Sequence, residues 1–253
     1  TNEYYKAKAT NTGEVVTQLS TAKWNQGSPY NMYVPDINGQ KCWTGCVITA
    51  AAIVMKYHGY PEKGEGTVPA YTTSTNNISI PERVLGHKYD WDNMPQEYNS
   101  SSTDEQKHQV AQLMYDLGCM LQADYGTGGT SAFTNSIARQ LPVYMDYDAG
   151  IYYVYRDYYS NAGWSQLIKD EIDDDRPVIY RGSNEDSGHA FVMDGYTSAD
   201  FFSVNWGWGG YGNGYFALSA MNPTNQGIGG ASDDGAFTEQ VTLYTGIQPN
   251  QGG

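Results

Sequence analysis

The run Cys46-Val47-Ile48-Thr49-Ala50-Ala51-Ala52-Ile53-Val54-Met55-Lys56-Tyr57-His58 has almost no polar face. Alanine-rich, preceded by Gly45 and closed by Gly59-Tyr60-Pro61, it predicts a helix from about Cys46 to His58. A helix that is apolar nearly all round must be enclosed by protein. The rest of the chain therefore has to supply apolar surface on every side of it.

Other segments are patterned to do so. Val110, Leu113, Met114 and Leu117 share one helical face, which predicts a helix from about Thr103 to Leu117 with Gly118 as its stop. Phe133, Ile137 and Leu141 suggest a third helix, and Trp164, Leu167, Ile168 and Ile172 a fourth. After Pro177 the period changes. Val178-Ile179-Tyr180, Ala190-Phe191-Val192-Met193, Phe201-Phe202-Ser203-Val204, Tyr215-Phe216-Ala217-Leu218 and Val241-Thr242-Leu243-Tyr244 are short β-type runs separated by Gly, Asn and Asp. Helices first and strands later predict an α+β protein, with a helical part and an antiparallel sheet part meeting along a cleft. Residues 1 to about 20 are polar and read as a tail or a strap crossing between the two parts. The Gly-rich stretch from Gly227 to Gly235 reads as a mobile loop.

Composition narrows the partners. Of 253 residues, 40% are hydrophobic and 17% charged, a globular balance with room for one sizeable core. The formal net charge of −14 disfavours nucleic acid and anionic lipid. No apolar run is long enough to insert in a membrane. The acidic run Asp173-Asp174-Asp175 reads as a solvated helix end and not a metal site. The first residues lack a signal pattern, so the chain is expected to be either cytosolic or a processed form.

Three residues carry the chemical signal. Cys46 opens its helix, where partial positive charge and free N–H groups lower a thiol pKa. His189 follows by 143 residues and Asn205 by another 16. That order and spacing suit a Cys-His-Asn triad, with the Asn orienting the imidazole and the neighbouring Trp206 shielding the pair. An imidazolium partner would lower the thiol pKa further, giving a thiolate–imidazolium pair. On residues alone, a small buried core cysteine and an ordinary strand histidine remain open alternatives.

The motifs also resemble those of the streptopain family of bacterial cysteine peptidases. The resemblance rests on Cys46 to Ala50 running on to Met55 through Pro61, on Gly188-His189-Ala190-Phe191-Val192-Met193-Asp194-Gly195, on Val204-Asn205-Trp206-Gly207-Trp208-Gly209-Gly210, and on Asn25-Gln26-Gly27-Ser28-Pro29-Tyr30-Asn31. It runs from about Lys23 to about Pro249 in family order. It implies a papain-like two-lobed fold: one peptidase domain over residues 1–253, with a mainly helical lobe at about 21–150 carrying Cys46 and a mainly β lobe at about 151–253 carrying His189. It implies Cys46 as nucleophile, His189 as base, Asn205 orienting His189 and Trp206 covering that bond. Gln26 would donate its side-chain amide to the oxyanion together with the Cys46 backbone N–H. The implied activity is hydrolysis of protein or peptide substrates by a secreted or cell-envelope enzyme, made as a precursor that its own propeptide inhibits. A precursor segment is absent or nearly so, which suggests a mature form. No cofactor and no metal are expected.

Two features depart from the family pattern: Cys42, and the acidic segment Ser183-Asn184-Glu185-Asp186-Ser187 just before the histidine. Cys42 and Cys119 could form a disulfide or remain two buried reduced thiols. His58 reads as structural, and His87 and His108 show no partner pattern. A zinc site from Cys42, Cys46 and His58 lacks a fourth ligand. The rival functions are an amidase or acyltransferase with the same triad, and an inert, aromatic-rich binding module.

Overall fold

The structure, a computed structural model, describes residues 12–223 and 236–252. The Gly227–Gly235 stretch lies outside the described residues.

The apolar run forms helix α1, Cys46–His58, with the bounds its sequence predicts. Gly45 precedes it at φ 93°, a left-handed backbone that glycine adopts without a Cβ penalty. A Cβ there would also stand 2.8 Å from the Thr130 carbonyl oxygen. At the other end Gly59 is left-handed, and the N–H groups of Gly59 and Tyr60 close onto the carbonyls of Lys56 and Met55. Nine consecutive residues, Val47 to Met55, are buried. Each large apolar side chain among them contributes about 1.5–3 kcal/mol by leaving water.

Helix α2 spans Asp104–Met120 and starts on a capping box between Thr103 and Gln106. It runs through Gly118 and does not stop there. The glycine makes room: a Cβ at 118 would lie 1.9 Å from the Tyr125 hydroxyl. Helix α3 is Ser136–Met145 and begins beyond Phe133, which is exposed. Helix α4 is Asn161–Asp173, with Trp164, Ile168 and Ile172 buried.

The main sheet has seven antiparallel strands: β1 (Val15–Gln18), β2 (Tyr152–Tyr155), β3 (Val178–Ser183), β4 (Gly188–Thr197), β5 (Phe201–Asn205), β6 (Gly214–Ala217) and β7 (Glu239–Thr245). Their order is β6-β5-β4-β3-β7-β2, and β1 pairs with the far end of β4 at Gly195–Thr197, past the point where β3 ends opposite Met193. All five β-type runs fall in this sheet, with Leu218 just outside β6. Residues 15–18, read as part of a polar tail or strap, are a sheet strand.

The sheet has a hydrophobic cluster on each face. Ile179, Ala190, Val192 and Tyr244 join the cluster built on α1, α2 and α3. The alternate residues Val178, Tyr180, Phe191, Met193 and Leu243 join a second cluster with Trp164, Ile168 and Ile172 of α4. The period of two along β3 and β4 thus serves two apolar layers, which is why these strands read as continuous hydrophobic runs. The chain is a mixed α+β protein around one antiparallel sheet, as expected.

The histidines outside the candidate triad have structural partners. His58 bonds the Ile247 carbonyl at 2.9 Å. His87 bonds the fully buried Asp116, which also takes bonds from Arg83 and the Tyr89 hydroxyl. His108 bonds the Tyr33 hydroxyl at 2.6 Å. Cys42 and Cys119 are buried free thiols, and Cys46 is a half-buried one. Of the acidic run, Asp173 accepts hydroxyl bonds from Thr17 and Tyr196, and Asp174 pairs with Arg176.

Gly118 yields a test. An Ala in a helix normally gains up to about 1 kcal/mol over Gly. Here Gly118→Ala should instead destabilise by about 1–3 kcal/mol through overpacking against Tyr125. The Tyr125 hydroxyl is buried without a hydrogen-bond partner among the described residues, so Tyr125→Phe should be nearly neutral and should recover most of the loss in the double variant. Urea unfolding midpoints of the four proteins measure this; a stabilising Gly118→Ala would show that the contact is absent.

Candidate active site

The site assembles where the N-terminus of α1 meets strand β4. Because Gly45 offers no side-chain cap, the first N–H groups of α1 are left for another acceptor. The N–H groups of Ala190, Val47 and Cys46 itself favour the charged form of the Cys46 sulfur, as does the nearby Arg181 charge. Ala190 immediately follows His189 in β4. Cys46 therefore lies beside the backbone of β4 next to His189.

Burial acts against the charges expected there. Desolvation pushes the Cys46 thiol up, against the pull of those N–H groups and Arg181. Desolvation lowers His189 to about 4, opposed only by its bond to a backbone carbonyl. Burial thus opposes charge on both groups.

The partner of the imidazole also differs from expectation. His189 Nε2 lies 2.9 Å from the Trp206 carbonyl oxygen. A carbonyl only accepts, so Nε2 carries the proton and Nδ1 keeps its lone pair. Asn205 does not bond the ring. Its Nδ2 donates to Thr21 Oγ1 at 2.9 Å and to the Ala22 carbonyl at 2.8 Å, and its Oδ1 accepts from Gly207 N at 3.1 Å. Thr21 in turn donates to Asp194 Oδ2 at 2.6 Å. Asn205 thus ties the segment leading from β1, the strand β4 and the turn after β5 into one unit. It acts on the carbonyl that receives the histidine, one residue along the chain, and not on the histidine itself.

Around the ring stands an aromatic box. The Trp208 ring stacks on His189 with centroids 4.7 Å apart at 25°. Trp206 is stacked at 6.0 Å and 23°, Phe191 at 5.9 Å and 29°, and Phe237 lies tilted at 5.5 Å. Trp206 is fully buried, and its Nε1 donates to the Gly212 carbonyl at 2.9 Å. Trp206 does cover the imidazole, but Trp208 lies closer. Neither Trp208 nor Phe237 was singled out from sequence. The Trp-Gly-Trp repeat was the available signal for the first, whereas Phe237 lies more than 40 residues from the histidine in sequence.

Gln26 sits on the loop that runs beside the start of α1. Its carbonyl accepts from Thr44 N at 3.1 Å, two residues before Cys46, and Asn25 Oδ1 accepts from its N–H at 2.8 Å. These bonds hold the loop backbone next to the nucleophile segment. No cluster of His, Cys, Asp and Glu among the described residues could hold a metal ion. No helix among them is long and apolar enough to cross a membrane.

The depressed His189 pKa has a signed consequence for stability. Between about pH 6.5 and about 4 the unfolded chain protonates this residue and the folded chain does not. Stability should therefore fall as pH drops through that window, by about 3 kcal/mol in total, and then level off. His189→Gln keeps a donor for the Trp206 carbonyl and removes the titration. Urea unfolding at several pH values should show the wild type losing stability relative to the variant on acidification. Parallel curves would mean that the imidazole is not buried neutral.

Comparison with known proteins agrees with the geometry. Residues 24–216 match the peptidase C10 family. Streptopain of Streptococcus pyogenes is 36% identical over 254 residues, covering 93% of this chain and 63% of its own length. The thiol protease/hemagglutinin PrtT of Porphyromonas gingivalis is 32% identical over 227 residues, covering 89% of this chain and 26% of its own. The chain thus spans less than two thirds of the length of these relatives. Among solved structures, the active wild-type interpain A cysteine protease of Prevotella intermedia superposes with a TM-score of 0.80 at 31% identity, over 92% of this chain and 95% of that one. A fragment of prointerpain A from the same organism gives 0.74 at 28% identity, over 96% and 81%. With the match spanning most of the sequence and the motifs in family order, the chain belongs to the peptidase C10 family, the streptopain family of cysteine peptidases.

Proposed function

We propose that this chain is a cysteine endopeptidase that cleaves protein substrates through a thioacyl-enzyme, with Cys46 as nucleophile and His189 as general base. The observation that carries the reading is the committed Nε2 of His189. Bonded to the Trp206 carbonyl, the ring offers Nδ1 as the one nitrogen able to exchange a proton. The thiol proton passes to Nδ1, and the sulfur attacks the scissile carbonyl carbon. The imidazolium so formed is stabilised by the Trp206 carbonyl and by the faces of Trp208 and Trp206. It then protonates the leaving amine, and the freed Nδ1 draws a proton from the water that hydrolyses the thioester.

The oxyanion of the tetrahedral intermediate would be held by the Cys46 N–H at the open helix end and by the Gln26 side-chain amide. The bond between the Gln26 carbonyl and Thr44 supports this placement of the loop. Asn205 and Trp206 are positioning residues, Asn205 fixing the turn and Trp206 supplying the carbonyl. The wider reading is a papain-like enzyme with a helical lobe at about 21–150, a β lobe at about 151–253 and substrate lying between them. The two hydrophobic clusters, one built on α1–α3 and one between the sheet and α4, support that division. Secretion, and a precursor form inhibited by its own propeptide, are part of the same proposal; the prointerpain A relative supports the latter.

Cys46→Ala should abolish casein hydrolysis and leave the fold intact, since the helix start accepts Ala. A variant that still cleaved casein at a comparable rate would remove the nucleophile assignment. Gln26→Ala should lower kcat roughly 10²-fold with little change in KM, the signature of a donor used in the transition state. An unchanged kcat would place Gln26 outside the oxyanion site. Transfer of the acyl group to an added amine without net casein hydrolysis would favour an acyltransferase.

A further inference from the structure

Most half-buried cations among the described residues have a polar or charged partner. Arg83 pairs with Asp116, Arg176 with Glu171 and Asp174, and Lys169 with Asp200. The Arg181 side chain is half-buried and, like that of Lys107, makes no ion pair or hydrogen bond among the described residues, in a chain whose net charge is −14. An acidic protein has many carboxylates with which to pair a structural arginine. One left unpaired and half-buried has already been partly desolvated without a partner.

Its position is tied to the nucleophile by strand register. In the β3–β4 pair Arg181 lies directly opposite Ala190, so the two side chains share the face of the sheet turned toward α1. The guanidinium extends along this face over Gly188: a Cβ at 188 would come within 2.8 Å of its Nη2. Gly188 and Ala190 flank His189, so the guanidinium runs beside the histidine backbone. Its charge is felt at the Cys46 sulfur.

The same side chain lines open grooves. One, of about 440 Å³, is bordered by Phe133, Tyr153, Tyr155, Thr242 and Arg181. A second, of about 870 Å³, is bordered by Tyr71, Gln122, Phe133, Arg139 and Arg181. Arg181 and the exposed Phe133 belong to both. Each groove has one acidic lining residue, Asp157 in the first and Asp124 in the second, and neither pairs with Arg181. Asp124 is already engaged by Thr75 and Ser74.

We propose that Arg181 is a specificity-determining residue that receives a carboxylate of the substrate, so that the enzyme favours Asp or Glu close to the scissile bond. This rests on the endopeptidase reading of the site. A planar guanidinium binds a carboxylate with two parallel hydrogen bonds, and a half-buried site strengthens them. A neutral amide of the same shape leaves the charge unpaired on binding, and this difference produces the discrimination.

Peptides containing a fluorophore and quencher, with Glu or Gln placed in turn at each position flanking the cleavage site, test the proposal. The wild type should show a Glu-to-Gln ratio in kcat/KM of roughly 10-fold or more at one position. Arg181→Gln should collapse that ratio toward one, and Arg181→Glu should shift the preference at that position to Lys. Because the readout is a ratio within each variant, a general loss of activity does not imitate it. A wild type that cleaves the peptides with no acidic preference, or an Arg181→Gln enzyme that keeps one, overturns the proposal and leaves the endopeptidase reading standing. A wild type that cleaves none of the peptides, nor casein, overturns both.

Discussion

Helix α1 has no polar face, so it is stable only where protein surrounds it. The sheet supplies one wall through Ile179, Ala190, Val192 and Tyr244, and the other helices and loops supply the rest. The site follows from this enclosure. A helix buried along its length can meet solvent only at its ends, and Cys46 lies at one of them. Gly45 sets that end by adopting a backbone with positive φ against the Thr130 carbonyl, and by providing no side chain to satisfy the first N–H groups.

The same burial sets the electrostatics. A helix N-terminus would by itself favour a thiolate. Yet His189 is only 6% exposed, held among four aromatic rings, and a cation is costly there. In the proposed reaction this ring takes the thiol proton. The aromatic rings and the Trp206 carbonyl are preorganised to accept the imidazolium when it forms, in place of water that would have to reorganise.

Much of this was legible in the sequence because the signals were local. The bounds of α1 and the five β-type runs came from periodicity and punctuation. What was missed depends on tertiary partners. Strand β1 has an exposed, unpatterned sequence and exists because β4 outruns β3 and leaves an edge to be paired. Gly118 read as a stop, since nothing nearby in sequence reveals that Tyr125 folds back on it. Asn205 was expected to bond His189, and the structure gives that bond to the Trp206 carbonyl, because a backbone carbonyl as the acceptor for an imidazole leaves no mark on residue identity. The family resemblance named the residues; the geometry redistributed their roles.

The central claim is that His189 donates from Nε2 to the Trp206 carbonyl and keeps Nδ1 free as a neutral base. Nitrogen NMR of ¹⁵N-histidine-labelled protein, with His189 assigned through the His189→Gln variant, reads both ring nitrogens directly at neutral pH. The account predicts a protonated Nε2 and an unprotonated, pyridine-type Nδ1. A spectrum showing the opposite tautomer, or an imidazolium with both nitrogens protonated, would contradict it.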